Sequence, residues 1–297
     1  MPESWSRTEL PRLPLSALFP PAPAAGVRGD PGVTPPQGPF WSVTGERAMA
    51  LGGPAAILLQ VAHPLVAEGV SVHSEYAAGP AKRLLGTLQA FLTVTFGDTE
   101  QARAMARHVG NRHASVRGTT RTDAPGTPAG TPYRAADPHL ALWVHATLIH
   151  TALQVADRYL GRPLSPAARE RHWQESKPFA RLFGVTRSAL PATADDFEAY
   201  WRRSVDDLVV TDGARAIARD LMTVRTSPPV PGVAALARSI TADLLPAGVA
   251  AAYGLDRTAG RRVTATAART LLRTARPVVP DRIAQWPHVR TATRRLT

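Results

Sequence analysis

Nine histidines in a chain of 297 residues that contains no cysteine are the side chains with the most scope for chemistry. His145 stands out among them. It lies in Asp137-Pro-His-Leu-Ala-Leu-Trp-Val-His-Ala-Thr-Leu-Ile-His-Thr-Ala-Leu-Gln-Val-Ala-Asp157-Arg158, where Asp137 suits a helix N-cap and Pro138 a first turn. Helical periodicity puts Ala141, Leu142, Leu148, Ile149 and Ala152 on its face. A neutral imidazole in that setting is either a hydrogen-bonded core residue or a ligand to a metal or a haem iron. His150, five residues on, is rotated by about 140° at roughly 100° per residue, so the two cannot clasp one ion from the same helix. A single axial contact fits better than a paired-histidine metal site.

The preceding helix, predicted over 98–117, carries His113 and Arg117 at i, i+4, flanked by Val109 and Val116; His108 points elsewhere. An imidazole and a guanidinium on one stripe could polarise a bound oxygen ligand or hold a carboxylate, and a snorkelling Arg beside a core His accounts for them equally. His63 before Pro64, and His73-Ser74-Glu75 after the break near Gly69, read as polar anchors for helix ends. Glu175 in Arg171-His-Trp-Gln-Glu175 suits neutralisation of an Arg, a base, or simply an exposed helix face. G-x-S-x-G, H-E-x-x-H, a P-loop and a strand-linked G-x-G-x-x-G are all absent from the sequence.

The lack of cysteine excludes disulfides, Cys-ligated zinc, iron–sulfur clusters, a thiolate haem ligand and covalent haem attachment through C-x-x-C-H. Met1-Pro-Glu-Ser-Trp-Ser-Arg7 lacks the basic and apolar regions of a secretory signal, so a cytoplasmic location is expected. The apolar run Ala48 to Val72 is interrupted by Gly52, Gly53, Pro54, Gln60, His63, Pro64 and Glu68, which reads as core helix and not as a membrane span. The net charge of +12 comes from arginine, with Lys82 and Lys177 the only lysines. Residues 257–297 hold ten Arg against the single carboxylate of Asp281, a balance that could suit nucleic acid or an anionic membrane. The interspersed Val263, Leu271, Leu272, Val278, Val279 and Ile283 predict instead that the segment packs on the body, with no nucleic-acid site.

These residues must be positioned by an all-α framework. Residues 1–40 are Pro/Gly-rich and read as an extended arm. Helical patterns then cover 45–62, 64–77, 80–96, 98–117, 137–160, 165–183, 194–224, 232–253 and 257–275, and strand signals are nearly absent. The Thr/Gly/Pro-rich loop from Gly118 to Asp137 joins the helices of His113 and His145, and its length suits a lid. Pro228-Pro229-Val230-Pro231 marks a boundary, giving an arm (1–40), a main helical domain (41–230) and an Arg-rich helical extension (231–297).

The order of segments over about residues 40–230 resembles the MpaB/rubber oxygenase (latex clearing protein-like) family, and its bacterial MpaB-like branch in particular. It runs from Leu51-Gly-Gly-Pro-Ala-Ala-Ile-Leu-Leu-Gln60-Val-Ala-His-Pro64-Leu-Val-Ala-Glu-Gly69-Val through His73-Ser74 and Phe96-Gly97-Asp98. His113-Ala-Ser-Val-Arg-Gly118, Tyr133, Asp137-Pro and Trp143-Val-His145-Ala complete it. The resemblance implies a single multi-helix domain enclosing a non-covalent b-type haem, with His145 as the axial iron ligand. Rubber-cleaving members carry a distal Lys and Arg on the preceding helix. No lysine falls in 98–117, so His113 and Arg117 stand there only by position, and polyisoprene cleavage is not implied.

The leading expectation is a haem-dependent oxygenase or related oxidoreductase that uses dioxygen or a peroxide on an apolar small molecule, such as an isoprenoid or other natural product. A haem- or apolar-ligand-binding protein without turnover, and a basic protein docking on nucleic acid or membrane, are the alternatives.

Overall fold

Capping side chains and prolines set where each helix begins. In the computed structural model, which describes residues 13–14, 20–73, 80–223, 226–227 and 230–297, a short β1 (Leu13–Pro14) pairs in parallel with β4 (Thr226–Ser227). Then come α1 (Pro39–Thr44), a 3-10 turn (Arg47–Gly52), α2 (Gly53–Val61), α3 (Pro64–His73), α4 (Pro80–Phe96) and α5 (Thr99–Ala114). An antiparallel pair, β2 (Arg117–Thr119) with β3 (Pro132–Arg134), leads into α6 (Pro138–Tyr159) and α7 (Pro166–Leu182). The rest is α8 (Ala194–Asp206), α9 (Asp212–Met222), α10 (Val233–Leu244), α11 (Ala247–Ala252), α12 (Ala259–Ala275), α13 (Asp281–Ala284) and α14 (Pro287–Leu296). The fold is all-α apart from these two strand pairs. Parts of the arm (1–12 and 15–19), the last residues of the helix expected over 64–77, and Pro228-Pro229 lie outside the described residues.

Two buried helices organise the core. α2 is apolar on all sides and buried from Ala55 to Val61, as befits an interior helix. α6 is capped by Asp137, whose carboxylate accepts the His139 N–H, with Pro138 at its first position. It packs against α2, the 3-10 turn, α7 and α12, and the Trp143 indole donates to the Leu59 carbonyl at 3.2 Å. α2 and α3 meet at Pro64 with a bend of 100°, and among the described residues no single helix is long and apolar enough to cross a membrane. α7 is capped by Ser165, and α1, α4 and α6 close around it through Phe40, Phe91 and His145.

The structure corrects several local expectations. α5 ends at Ala114, so Arg117 does not share a helical stripe with His113. Arg117 opens β2, because β-branched Val116, Thr119 and Thr120 around Gly118 favour extended backbone that pairs with Pro132–Arg134. The segment expected as an irregular loop is therefore partly a hairpin. Helix 194–224 divides between Asp206 and Asp212, and helix 232–253 divides at Leu245-Pro246, where proline removes a donor.

The C-terminal arginines are tied internally. Arg276, 9% exposed, donates to both oxygens of Glu46 and to Asp281, and Arg162 adds a third bond to Glu46 at 3.0 Å. Arg269 pairs with Asp243, which also accepts the Tyr159 hydroxyl. Arg295 is buried and donates to the carbonyls of Asp30, Phe96 and Gly97. The apolar side chains behave differently from expectation. Val263, Leu271, Val278 and Ile283 are exposed, and only Leu272 and Val279 are partly covered, because the face of α12 turned inward is the one bearing Ala265, Ala268 and Leu272.

Candidate functional site

His145 is buried to 2% exposure at the contact between α6 and α7. Its Nε2 lies 3.2 Å from the Ser176 hydroxyl oxygen. That hydroxyl spends its only proton on the Trp173 carbonyl at 2.8 Å, so it can only accept from the imidazole. The hydrogen of His145 therefore sits on Nε2, and Nδ1 carries a bare lone pair with no partner among the described residues. Burial, reinforced by the neighbouring His172, pushes the His145 pKa down to about 3, so the ring is neutral at physiological pH.

His172 is fully buried, and neither of its ring nitrogens has a partner among the described residues. It sits one turn before Ser176 on α7 and so shares the face that meets His145. Burial and then the charge of Arg169 hold its pKa at about 3.

Aromatic rings wall in this pair. The Phe179 ring stacks on His145 at 5.7 Å, and Trp173 is tilted against it at 5.9 Å. Phe40 meets His172 edge-on at 5.3 Å, and Phe91 bridges Phe40 and Phe179 at 6.3 and 5.2 Å. A buried polar atom left unpaired costs about 1–3 kcal/mol, and the two imidazoles leave three such nitrogens in one apolar pocket. Leucine or phenylalanine would fill the same volume without that cost. The arrangement is chemically suited to donate lone pairs.

A surface cavity of about 490 Å³ adjoins this pocket, lined by Gly32, Val33, Thr99, Arg103, Pro178, Arg181 and Leu182. Val33 and Leu182 pack against Phe179, so that ring stands between the cavity and His145.

The other singled-out residues fall elsewhere. His113, in the last turn of α5, and Arg117, on β2 opposite Arg134, are both exposed. Their surface placement gives a distal role beside His145 no geometric support. His150 stacks on Trp201 at 3.8 Å and bonds Gln154 at 3.1 Å, and His108 is exposed. The His63 carbonyl accepts the Ala67 N–H at the start of α3, and His73 bonds the Tyr133 hydroxyl at 3.1 Å, joining α3 to the hairpin. Glu175 accepts the Phe40 N–H at 3.0 Å and so caps α1. His172 and Ser176 escaped the sequence reading because charged neighbours dominate α7. The signal available was their i, i+4 spacing with Phe179 and Ala180 on the same face.

The family described as the ER-bound oxygenase mpaB/B'/rubber oxygenase catalytic domain matches residues 41–276. Relatives include the uncharacterized proteins Mb2261 of Mycobacterium bovis and Rv2237 of Mycobacterium tuberculosis. Each is 31% identical over 182 residues, spanning 59% of this chain and 68% of the relative. No solved structure matches the chain. The matched region contains α1 to α12, including α6 and α7 with both buried histidines, and the chain belongs to this family of oxygenase catalytic domains.

Proposed function

We propose that the protein is a haem-dependent oxygenase acting on an apolar small molecule, an isoprenoid or similar natural product, with His145 as axial ligand to the iron. The observation that carries this reading is the unpaired lone pair of a fully buried, neutral imidazole in an aromatic pocket. The donor set fits haem better than a bare ion. A divalent cation held by neutral imidazoles alone would leave its charge uncompensated in apolar surroundings, whereas a porphyrin brings its own dianionic ring to the iron.

Bound haem would supply the iron at which dioxygen or a peroxide is activated. The chain's own residues do the rest. Ser176 fixes the orientation of the His145 ring by accepting from Nε2, as an outer partner of a metal-bound histidine does. Trp173 and Phe179 hold that ring from both sides and keep water from it, and the Trp173 indole is itself anchored on the Pro191 carbonyl at 3.0 Å. Aromatic walls of this kind accept an apolar substrate and offer it few polar contacts.

An absorption spectrum of the purified protein supplemented with haem tests the reading. A Soret band is expected, lost or shifted in His145→Ala while the helical circular dichroism is kept. If His145→Ala retains the wild-type Soret band and axial ligation, the assignment fails. Oxygen- or peroxide-dependent turnover of an apolar substrate separates an oxygenase from a haem carrier.

A further inference from the structure

We propose that His172 supplies a second imidazole to the group that His145 holds, so that the resting iron lies between two histidines. This rests on the haem reading above. An imidazole carries one N–H donor and one lone pair, and His172 satisfies neither among the described residues although it is fully buried. The groups that face it offer no substitute. Phe40 is apolar, His145 is itself neutral, and Arg169 is a cation whose guanidinium is engaged by Asp157 at 2.6 Å.

An unpaired buried imidazole is not by itself a site. His288 on α14 has both nitrogens unpaired and buried as well, but it lies in a separate cluster with Trp286 and Val289. His172 differs because a second orphaned lone pair stands beside it on the facing helix, and a haem iron has two axial positions to receive such a pair.

The two histidines are not equivalent. His145 is oriented by Ser176, whereas no hydrogen bond among the described residues fixes His172. His145 is therefore the permanent ligand, and His172 is the one that an incoming oxygen ligand displaces. The resting protein would thus be closed to oxidant until His172 moves aside.

The test uses the full chain loaded with haem, read by ferric absorption and electron paramagnetic resonance spectra. The wild type is expected to be six-coordinate and low-spin. His172→Phe should keep haem, convert the ferric iron to high spin and speed carbon monoxide binding to the ferrous form at least tenfold. Added imidazole should restore the low-spin spectrum in His172→Ala. His288→Phe should leave the spectrum as in the wild type. In the cofactor-free protein, His172→Phe should raise Tm, since it removes unpaired buried atoms, a gain that a structural histidine would not show. Unchanged ferric spectra in both His172 variants, or a high-spin wild type, overturn the second ligand and leave His145 standing. A wild type that binds no haem overturns both readings.

Discussion

Ser176 joins the two halves of the pocket, because its hydroxyl both stays in its own helix and fixes the ring of His145. Ser176→Ala leaves the Nε2–H unpaired and the ring free to turn. Haem affinity should fall by about 10–100-fold, measured by the rate of haem loss to a scavenger, with little change in helical content. An affinity equal to the wild type would remove Ser176 from the site. The buried histidines also set an acid limit. Burial holds His150 at about 3 and His288 at about 4, against an ordinary 6.5 in the unfolded chain. Below 6.5 the unfolded state binds more protons, so stability is complete above that pH and falls as pH drops toward the folded values. Each such group costs about 1.4 kcal/mol per pH unit in that window. The Tm of the cofactor-free protein should drop between pH 6.5 and 5, and His288→Leu should flatten that slope; equal Tm values at pH 7 and pH 5 would contradict the burial.

At the scale of elements, the pocket depends on how short α1 is held against α7. α1 has no side-chain cap of its own, and Glu175 of α7 supplies one by accepting the Phe40 N–H. The same contact holds the Phe40 ring edge-on to His172. Glu175→Ala should cost about 1–3 kcal/mol in urea unfolding, the usual loss when a buried donor is stranded. It should disturb the haem spectrum only modestly. Abolished turnover with unaltered stability would instead mark Glu175 as a base. α6 needs no such help, because Asp137 and Pro138 start it and its apolar face runs from Leu140 to Tyr159.

Across the whole molecule, the C-terminal segment is tied to the body by buried charge. Glu46 is 3% exposed and is shared by Arg276 and Arg162, while Arg276 also reaches Asp281. Removing one partner of a buried pair strands the other charge, so Glu46→Ala should destabilise by about 3–5 kcal/mol and lower Tm sharply. The double variant Glu46→Leu with Arg276→Met should recover much of that loss. If Glu46→Ala and the double variant unfold alike, the network is not what ties the two ends together. Deleting residues 257–297 strands Glu46 and Asp243 together and should lower Tm further.

Helical class, the capped α6, and His145 on its apolar face were all determined by local sequence, because caps and a 3.6-residue period act over neighbouring turns. The family was legible for a similar reason, since its motifs keep their order along the chain. What the sequence could not hold was contact between distant turns. Ser176 reaches His145 across 31 residues, and no period along α6 or α7 encodes which faces meet. Arg117 left its expected helix because pairing with Pro132–Arg134 outweighed a weak local preference. The arginines of the C-terminal segment looked like a charged surface until tertiary packing brought Glu46 and Asp243 to them. Packing also decided that Val263 and Leu271 face outward, because α12 can turn only one side to the core and Ala265, Ala268 and Leu272 occupy it.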